Sequence, residues 1–226
     1  MLEQAQSQEL TMKEDREFYR RHLPHYQPFE AEFHVVFRLA GSLPAEVVEW
    51  MREKRSALRS RSPRLQGETQ SKSELFMLRP ACLAKYENLL DGSSLGPRWL
   101  RDARVAAIVS EAMHYRDGKQ YDLYAYSIMP NHVHMVFRTV RRIVCPTDRV
   151  TDILRKLKWN TALRANRVLG RTGSFWKAES YDHVIRTDEE LSRTIWYVLH
   201  NPVLAGLASS WRLWPWTYYK AEWDTS

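Results

Sequence analysis

The chain has little cysteine, no long apolar run and, over one stretch, almost no acid. Two cysteines in 226 residues, Cys82 and Cys145, exclude a disulfide framework and a cysteine-built metal centre. No apolar run approaches the ~18 residues that a membrane-spanning helix needs. The opening residues Met1-Leu-Glu-Gln-Ala-Gln-Ser-Gln-Glu9 lack the apolar core of a secretory leader. These absences point to a soluble, cytoplasmic protein with no membrane partner. What is present is 44% apolar and 12% aromatic residues, enough for a core rather than a disordered chain.

Lys and Arg total 34 against 27 Asp and Glu, a formal charge of +7. That excess is concentrated. Ten basic residues fall between 138 and 171: Arg138, Arg141, Arg142, Arg149, Arg155, Lys156, Lys158, Arg164, Arg167 and Arg171. Only Asp148 and Asp152 oppose them. An ordinary solvated helix face mixes both signs, whereas a one-signed stripe beside a near-neutral remainder suits a phosphate backbone.

Residues 1–28 read as a polar lead-in, with or without a short helix, and 29–226 as the domain. Glu32–Leu39 is rich in β-branched and aromatic residues and reads as a strand. Pro44 can open a helix with Val47, Met51 and Leu58 along one side, and a second short helix fits 74–90. A helix is predicted over 98–116, where Val105, Ile108, Val109 and Ala112 keep helical spacing. Tyr121–Ile128 and His132–Thr139 read as two strands around Met129-Pro130-Asn131. A basic helix spans 147–169, with Val150, Ile153, Leu154, Leu157, Thr161 and Val168 inward and Gly170 as its stop. Strand-like pieces follow at Ser174–Trp176 and Tyr181–Ile185. A last helix opens on the Thr187-x-x-Glu190 capping box and ends by Asn201, ahead of Pro202. This order predicts an α+β fold: an antiparallel sheet backed by helices, with a helical insertion at about 40–97 after the first strand.

His132-Val133-His134 is the most informative triplet. Alternation along a strand sends both imidazoles to one face about 6–7 Å apart, a spacing that can chelate one divalent cation. Tyr197 and Asn201, at i and i+4, share one side of the last helix, beside its packing stripe of Leu191, Ile195, Val198 and Leu199. Tyr181 is a rival nucleophile next to His183. Asp182 and His183 read as structural, while His34 on the first strand either faces the site or is a satisfied sheet histidine, the latter being the preferred reading. Trp211, Trp214, Trp216 and Trp223 crowd the C-terminus. They either stack nucleotide bases or clamp the tail onto the sheet, and clamping is the preferred reading.

Three stretches in order, Met129-Pro-Asn-His-Val-His-Met135, Phe175-Trp-Lys-Ala-Glu-Ser-Tyr-Asp-His-Val-Ile-Arg186 and Tyr197-Val-Leu-His-Asn-Pro-Val-Leu-Ala-Gly-Leu207, resemble the REP-associated tyrosine transposases. These belong to the HUH (His–hydrophobic–His) single-tyrosine transposase superfamily. The resemblance covers about 31–39 and 98–220. It implies that His132 and His134 ligate Mg²⁺ or Mn²⁺, that Asn201 supplies a third ligand or positions the metal, and that Tyr197 is the nucleophile. It further implies a monomer acting on single-stranded DNA beside repetitive extragenic palindromes, imperfect hairpins flanked by a short guide. Two alternatives stay open: a non-catalytic hairpin-binding protein, and a metal nuclease in which water attacks.

Overall fold

A computed structural model describes residues 18–20, 24–26, 28, 30–43, 90, 96–140 and 149–220. The strands are β1 (Phe18–Arg20), β2 (Pro24–Tyr26), β3 (Glu32–Arg38), β4 (Tyr121–Ile128), β5 (His132–Thr139), β6 (Tyr181–Ile185) and β7 (Thr217–Tyr219). The helices are α1 (Ala103–His114), α2 (Val150–Val168) and α3 (Asp188–Leu204). β1 and β2 pair with each other. The other five strands form one sheet in the order β6-β3-β5-β4-β7, antiparallel throughout. The fold is α+β, as predicted.

β5 is the central strand, and it is buried along its length except at Arg138. Its alternation divides the molecule. Val133, Met135 and Phe137 join Phe33, Val35 and Phe37 of β3 in a core covered by Val105 and Val109 of α1 and Ile153 and Leu157 of α2. Burying each large apolar side chain here contributes about 1.5–3 kcal/mol. On the other face, Val136 packs with Ala125, Ile185 and the Leu191, Ile195, Val198 and Leu199 stripe of α3. A register shift between Leu123 and Ala125 puts Tyr124 and Ala125 together on this second face. Helices α1 and α2 therefore cover one face of the sheet, and α3 the other.

Several expectations need correction. Within the lead-in, Phe18–Arg20 and Pro24–Tyr26 pair as strands, and the rest of a short helix read there would lie outside the described residues. Helix α1 starts only at Ala103, because the side chain of Asp102 accepts from Arg104 N at 2.9 Å and caps it. A 3₁₀ turn at Trp99–Arg101 precedes it. Trp176 makes a single bridge to Leu39 rather than a strand.

Helix α3 runs on through Pro202 to Leu204. That proline sits in the last turn, where it removes one intrahelical bond, while the amides of Ala205 and Leu207 still bond to the carbonyls of Asn201 and Pro202. Its start agrees with the capping reading. Thr187 Oγ1 accepts from Glu190 N at 3.2 Å, and the Glu190 carboxylate accepts from Arg186 N at 2.8 Å.

The tail does clamp. β7 pairs with β4, and Trp214 Nε1 donates to Ile128 O at 3.0 Å; Trp223 lies outside the described residues.

The chain divides into two compact units, 1–40 with 99–226, and 41–98. In the second, Gly96 adopts φ +91°, and a Cβ there would lie 2.5 Å from the Gly41 carbonyl oxygen, so only glycine fits. The helices predicted within 44–89 lie outside the described residues. Among the described residues no helix is long and apolar enough to cross a membrane.

Candidate active site

His132 and His134 project from β5 to the face that α3 covers, and their side chains converge. Their rings are 4.7 Å apart, with Nε2 to Nε2 at 2.8 Å. Two neighbouring ligands of one cation, each bonded at about 2.1 Å and at right angles, would stand about 3 Å apart. The pair is therefore set for chelation by the strand itself. Asn131, from the turn before β5, faces His132: its Oδ1 lies 2.7 Å from Nδ1 of that ring. On β3, His34 brings Nε2 to 3.3 Å from Nδ1 of His134, with the two rings stacked at 5.5 Å. A satisfied sheet histidine was expected at 34; its partner is one of the candidate ligands.

All three rings are buried. Burial lowers the pKa of His132 to about 3. It also holds His34 and His134 well below the usual 6.5, where neighbouring imidazoles push them down further. Neutral imidazoles are what a metal ligand set requires.

Helix α3 delivers the other two residues. Tyr197 sets its ring edge-on to His134, with centroids 5.9 Å apart. Asn201, one turn further, is fully buried, and neither its Oδ1 nor its Nδ2 has a hydrogen-bond partner among the described residues. A buried amide left unsatisfied costs about 1–3 kcal/mol, which is tolerable where something else is to be bound. Among the described residues no group of three His, Cys, Asp or Glu is placed to hold an ion. A cation here would draw on two imidazoles and this amide, a donor set that suits Mn²⁺ or Mg²⁺ with water completing the shell.

The rival Tyr181 stands further out. It lies on β6 opposite Val36, with its ring 6.5 Å from His34. His183 Nε2 donates to Glu190 Oε1 at 2.7 Å, tying β6 to the first turn of α3 in the structural role expected of it.

The basic stripe is less uniform than its sequence. Arg155 and Arg167 are exposed on the outer side of α2, with Lys156 and Arg149 partly so. Lys158 is 8% exposed, and its ammonium donates to Ala178 O and Ser180 Oγ, each at 2.9 Å. Arg164 bonds to Glu111 at 2.5 Å. Arg171 bonds to Asn166 and lies 3.7 Å over the Trp99 ring. Arg138, at the end of β5, has Glu32 and Asp122 as cross-strand partners. Arg141 and Arg142 lie outside the described residues. Since α2 packs on the face opposite α3, the α2 part of the stripe and the His–Tyr cluster occupy different sides of the sheet, while Arg138 shares the β5 face of His132 and His134.

Three contributors escape a reading by residue type: Asn131, His34 and Trp159. Trp159, 71% exposed, stands one turn beyond Arg155 on the basic helix. An aromatic among basic residues on a polar face was the available signal for Trp159. Adjacency to the His triplet was the signal for Asn131. By its place on the first strand His34 is open to facing the site, but the sheet reading is the preferred one.

No family model matches the chain. A Haemophilus influenzae protein named "Putative REP-associated tyrosine transposase" is 25% identical over 107 residues, 45% of this chain and 61% of that protein. The match thus spans less than two thirds of the relative's length. Two solved structures are similar. One is a REP-associated tyrosine transposase bound to a REP hairpin, with TM-score 0.46, 14% identity, and coverage of 88% of this chain and 80% of that one. The other is described as a putative transposase of Deinococcus radiodurans, with TM-score 0.29, 12% identity, and coverage of 81% and 96%. The chain is thus similar in sequence to a protein bearing the name of the REP-associated tyrosine transposases, the family that its own three motifs resemble.

Proposed function

We propose that the chain is a metal-dependent single-stranded DNA transesterase that nicks and rejoins DNA beside hairpin elements through Tyr197. The observation that carries this reading is the meeting of Tyr197 with His134, 63 positions apart in the sequence, on one sheet face. The unpartnered amide of Asn201 one turn away and the name of the Haemophilus relative support it. His132, His134 and Asn201 would hold Mg²⁺ or Mn²⁺. When bound, the cation would withdraw charge from the phosphate and from the leaving oxygen.

The chain's own residues do the rest. A phenol, with a pKa of about 10, is a weak nucleophile at neutral pH unless it is held in line with the phosphorus. The packing of α3 against β4 and β5 supplies that hold. Attack by the Tyr197 oxygen forms a P–O bond, breaks the P–O3′ bond and leaves a 5′-phosphotyrosine with a free 3′-OH. The proton lost by the phenol is matched by the one the 3′ oxygen takes up. The new ester conserves the energy of the old one, so the reverse step rejoins the strand without ATP.

The test uses single-stranded DNA containing an imperfect hairpin, labelled at either end and incubated with the protein and Mn²⁺. A denaturant-resistant adduct carrying the 3′-end label, with a shorter free product carrying the 5′-end label, is the expected result. Cleavage without adduct would point to attack by water, and binding without cleavage to a non-catalytic hairpin binder.

Binding on this reading uses the outer side of α2, where Trp159 adds a stacking surface between basic side chains. Replacing Arg155 and Arg167 together by Ala should lower the slope of log affinity against log salt by about 1–2. Lys158→Met should leave that slope alone and cost about 1.5–3 kcal/mol of stability, because its ammonium is committed to Ala178 and Ser180. Filter binding over a salt series, beside thermal unfolding, separates the two effects.

A further inference from the structure

The metal reading above assigns two imidazoles and an amide, and leaves His34 without a task. Its position is costly. On the α3 face of β3, His34 is 3% exposed, with Val136 and His183 as cross-strand partners, and an apolar side chain would fill that space without the expense of burying a polar ring. What it meets is Nδ1 of His134. An imidazole that ligates through Nε2 must carry its proton on Nδ1, and that N–H needs an acceptor to fix the tautomer and the plane of the ring.

We propose that His34 is the positioning residue of the metal site: its Nε2 accepts the Nδ1–H of His134 and holds that ring with Nε2 bare toward the cation. The inference rests on the reading of His132 and His134 as ligands. His132 has the equivalent arrangement with another group, since the Asn131 carbonyl oxygen accepts its Nδ1–H at 2.7 Å and leaves its Nε2 bare. The two ligands are thus held by different supports, a fixed amide acceptor for one and a second imidazole for the other.

The difference matters because an imidazole can reverse. The 3.3 Å contact serves equally with His34 Nε2–H donating to a bare Nδ1 of His134. In that arrangement His134 carries its proton on Nε2, 2.8 Å from His132, and cannot ligate. Changing from one arrangement to the other conserves protons. His134 releases its Nε2 proton to solvent and takes at Nδ1 the proton from His34 Nε2, while His34 takes one from solvent at its own Nδ1. His34 therefore selects which nitrogen of His134 is available.

The test measures Mn²⁺ binding by full-length protein, by electron paramagnetic resonance or calorimetry without DNA, for wild type, His34→Leu and His34→Gln. His34→Leu, which fills the space and offers no acceptor, should weaken Mn²⁺ about 10–100-fold. His34→Gln, whose amide can accept, should recover most of the loss, a rescue that a purely packing role would not give. Because either variant could fail to fold, a second arm uses wild type alone. The imidazole nitrogen NMR spectrum of the Mg²⁺-loaded protein should show the His134 proton on Nδ1.

Mn²⁺ affinity in folded His34→Leu within two-fold of wild type overturns the proposal, as does a His134 proton retained on Nε2 with Mg²⁺ bound. No Mn²⁺ binding by wild type would overturn the metal reading itself, and this proposal with it. That result is distinguishable, because it appears before any variant is made.

Discussion

Tyr197→Phe should abolish the covalent protein–DNA adduct and lower strand cleavage by on the order of 10⁴-fold or more, while Mn²⁺ and hairpin affinities stay within two-fold of wild type. The substitution removes one oxygen and leaves the ring, so the edge-on packing against His134 at 5.9 Å survives. Since Tyr197 is partly exposed and not part of the main core, the variant should fold. The magnitude follows from losing the attacking atom itself rather than an aid to it. Tyr181→Phe is the matched control and should keep the adduct, because that ring contacts His34 and not a proposed ligand. If the adduct persists in Tyr197→Phe and vanishes in Tyr181→Phe, the roles of the two tyrosines are exchanged. Cleavage continuing without adduct in Tyr197→Phe would show that water is the nucleophile.

Asn201→Ala should move two quantities in opposite directions. The metal-free protein should gain about 1–2 kcal/mol, since a buried amide with no partner is removed and alanine is the better helix former. For a chain of this length that is a rise in Tm of about 2–8 °C. Mn²⁺ affinity should fall about 10–100-fold, and cleavage by at least as much. On the proposed reading, a fully buried amide with no hydrogen-bond partner among the described residues is accounted for by the cation it would hold. The measurements are thermal unfolding with and without Mn²⁺, beside single-turnover cleavage. A less stable Asn201→Ala with unchanged cleavage would return Asn201 to an ordinary structural role.

Much of the framework was legible because it depends on local pattern. Tyr121–Ile128 and His132–Thr139 are rich in aromatic and other apolar residues on either side of a proline-bearing turn, and both strands fall where that pattern puts them. Helix α2 shows its inward stripe, with Gly170 at φ +61° just past its end. Pro202 misled because the rule against helical geometry before proline is statistical, and a last turn tolerates the lost bond. β7 has three residues and no period to read, so its existence depends on the edge of β4 being open to it. The candidate site divides the same way. His132 with His134 and Tyr197 with Asn201 are visible as spaced pairs. The partnership of His34 with His134 arises from antiparallel register between strands 100 residues apart, which residue type does not encode. Charge totals are legible too, but their direction is not: the described basic residues of the 138–171 stretch divide into exposed side chains, a buried tether at Lys158 and ion pairs of Arg155 with Asp152 and Arg164 with Glu111.

The two helices of interest lie on opposite faces of one sheet, and on the proposed reading this makes the sheet a partition between holding DNA and cutting it. Arg155, Trp159 and Arg167 lie on α2, which packs into the core on one face, whereas His132, His134, Tyr197 and Asn201 lie on the face that α3 covers. Substitutions on one face therefore act additively with those on the other. A lineage can exchange one hairpin partner for another by rewriting the outside of α2 while the chemistry is inherited unchanged.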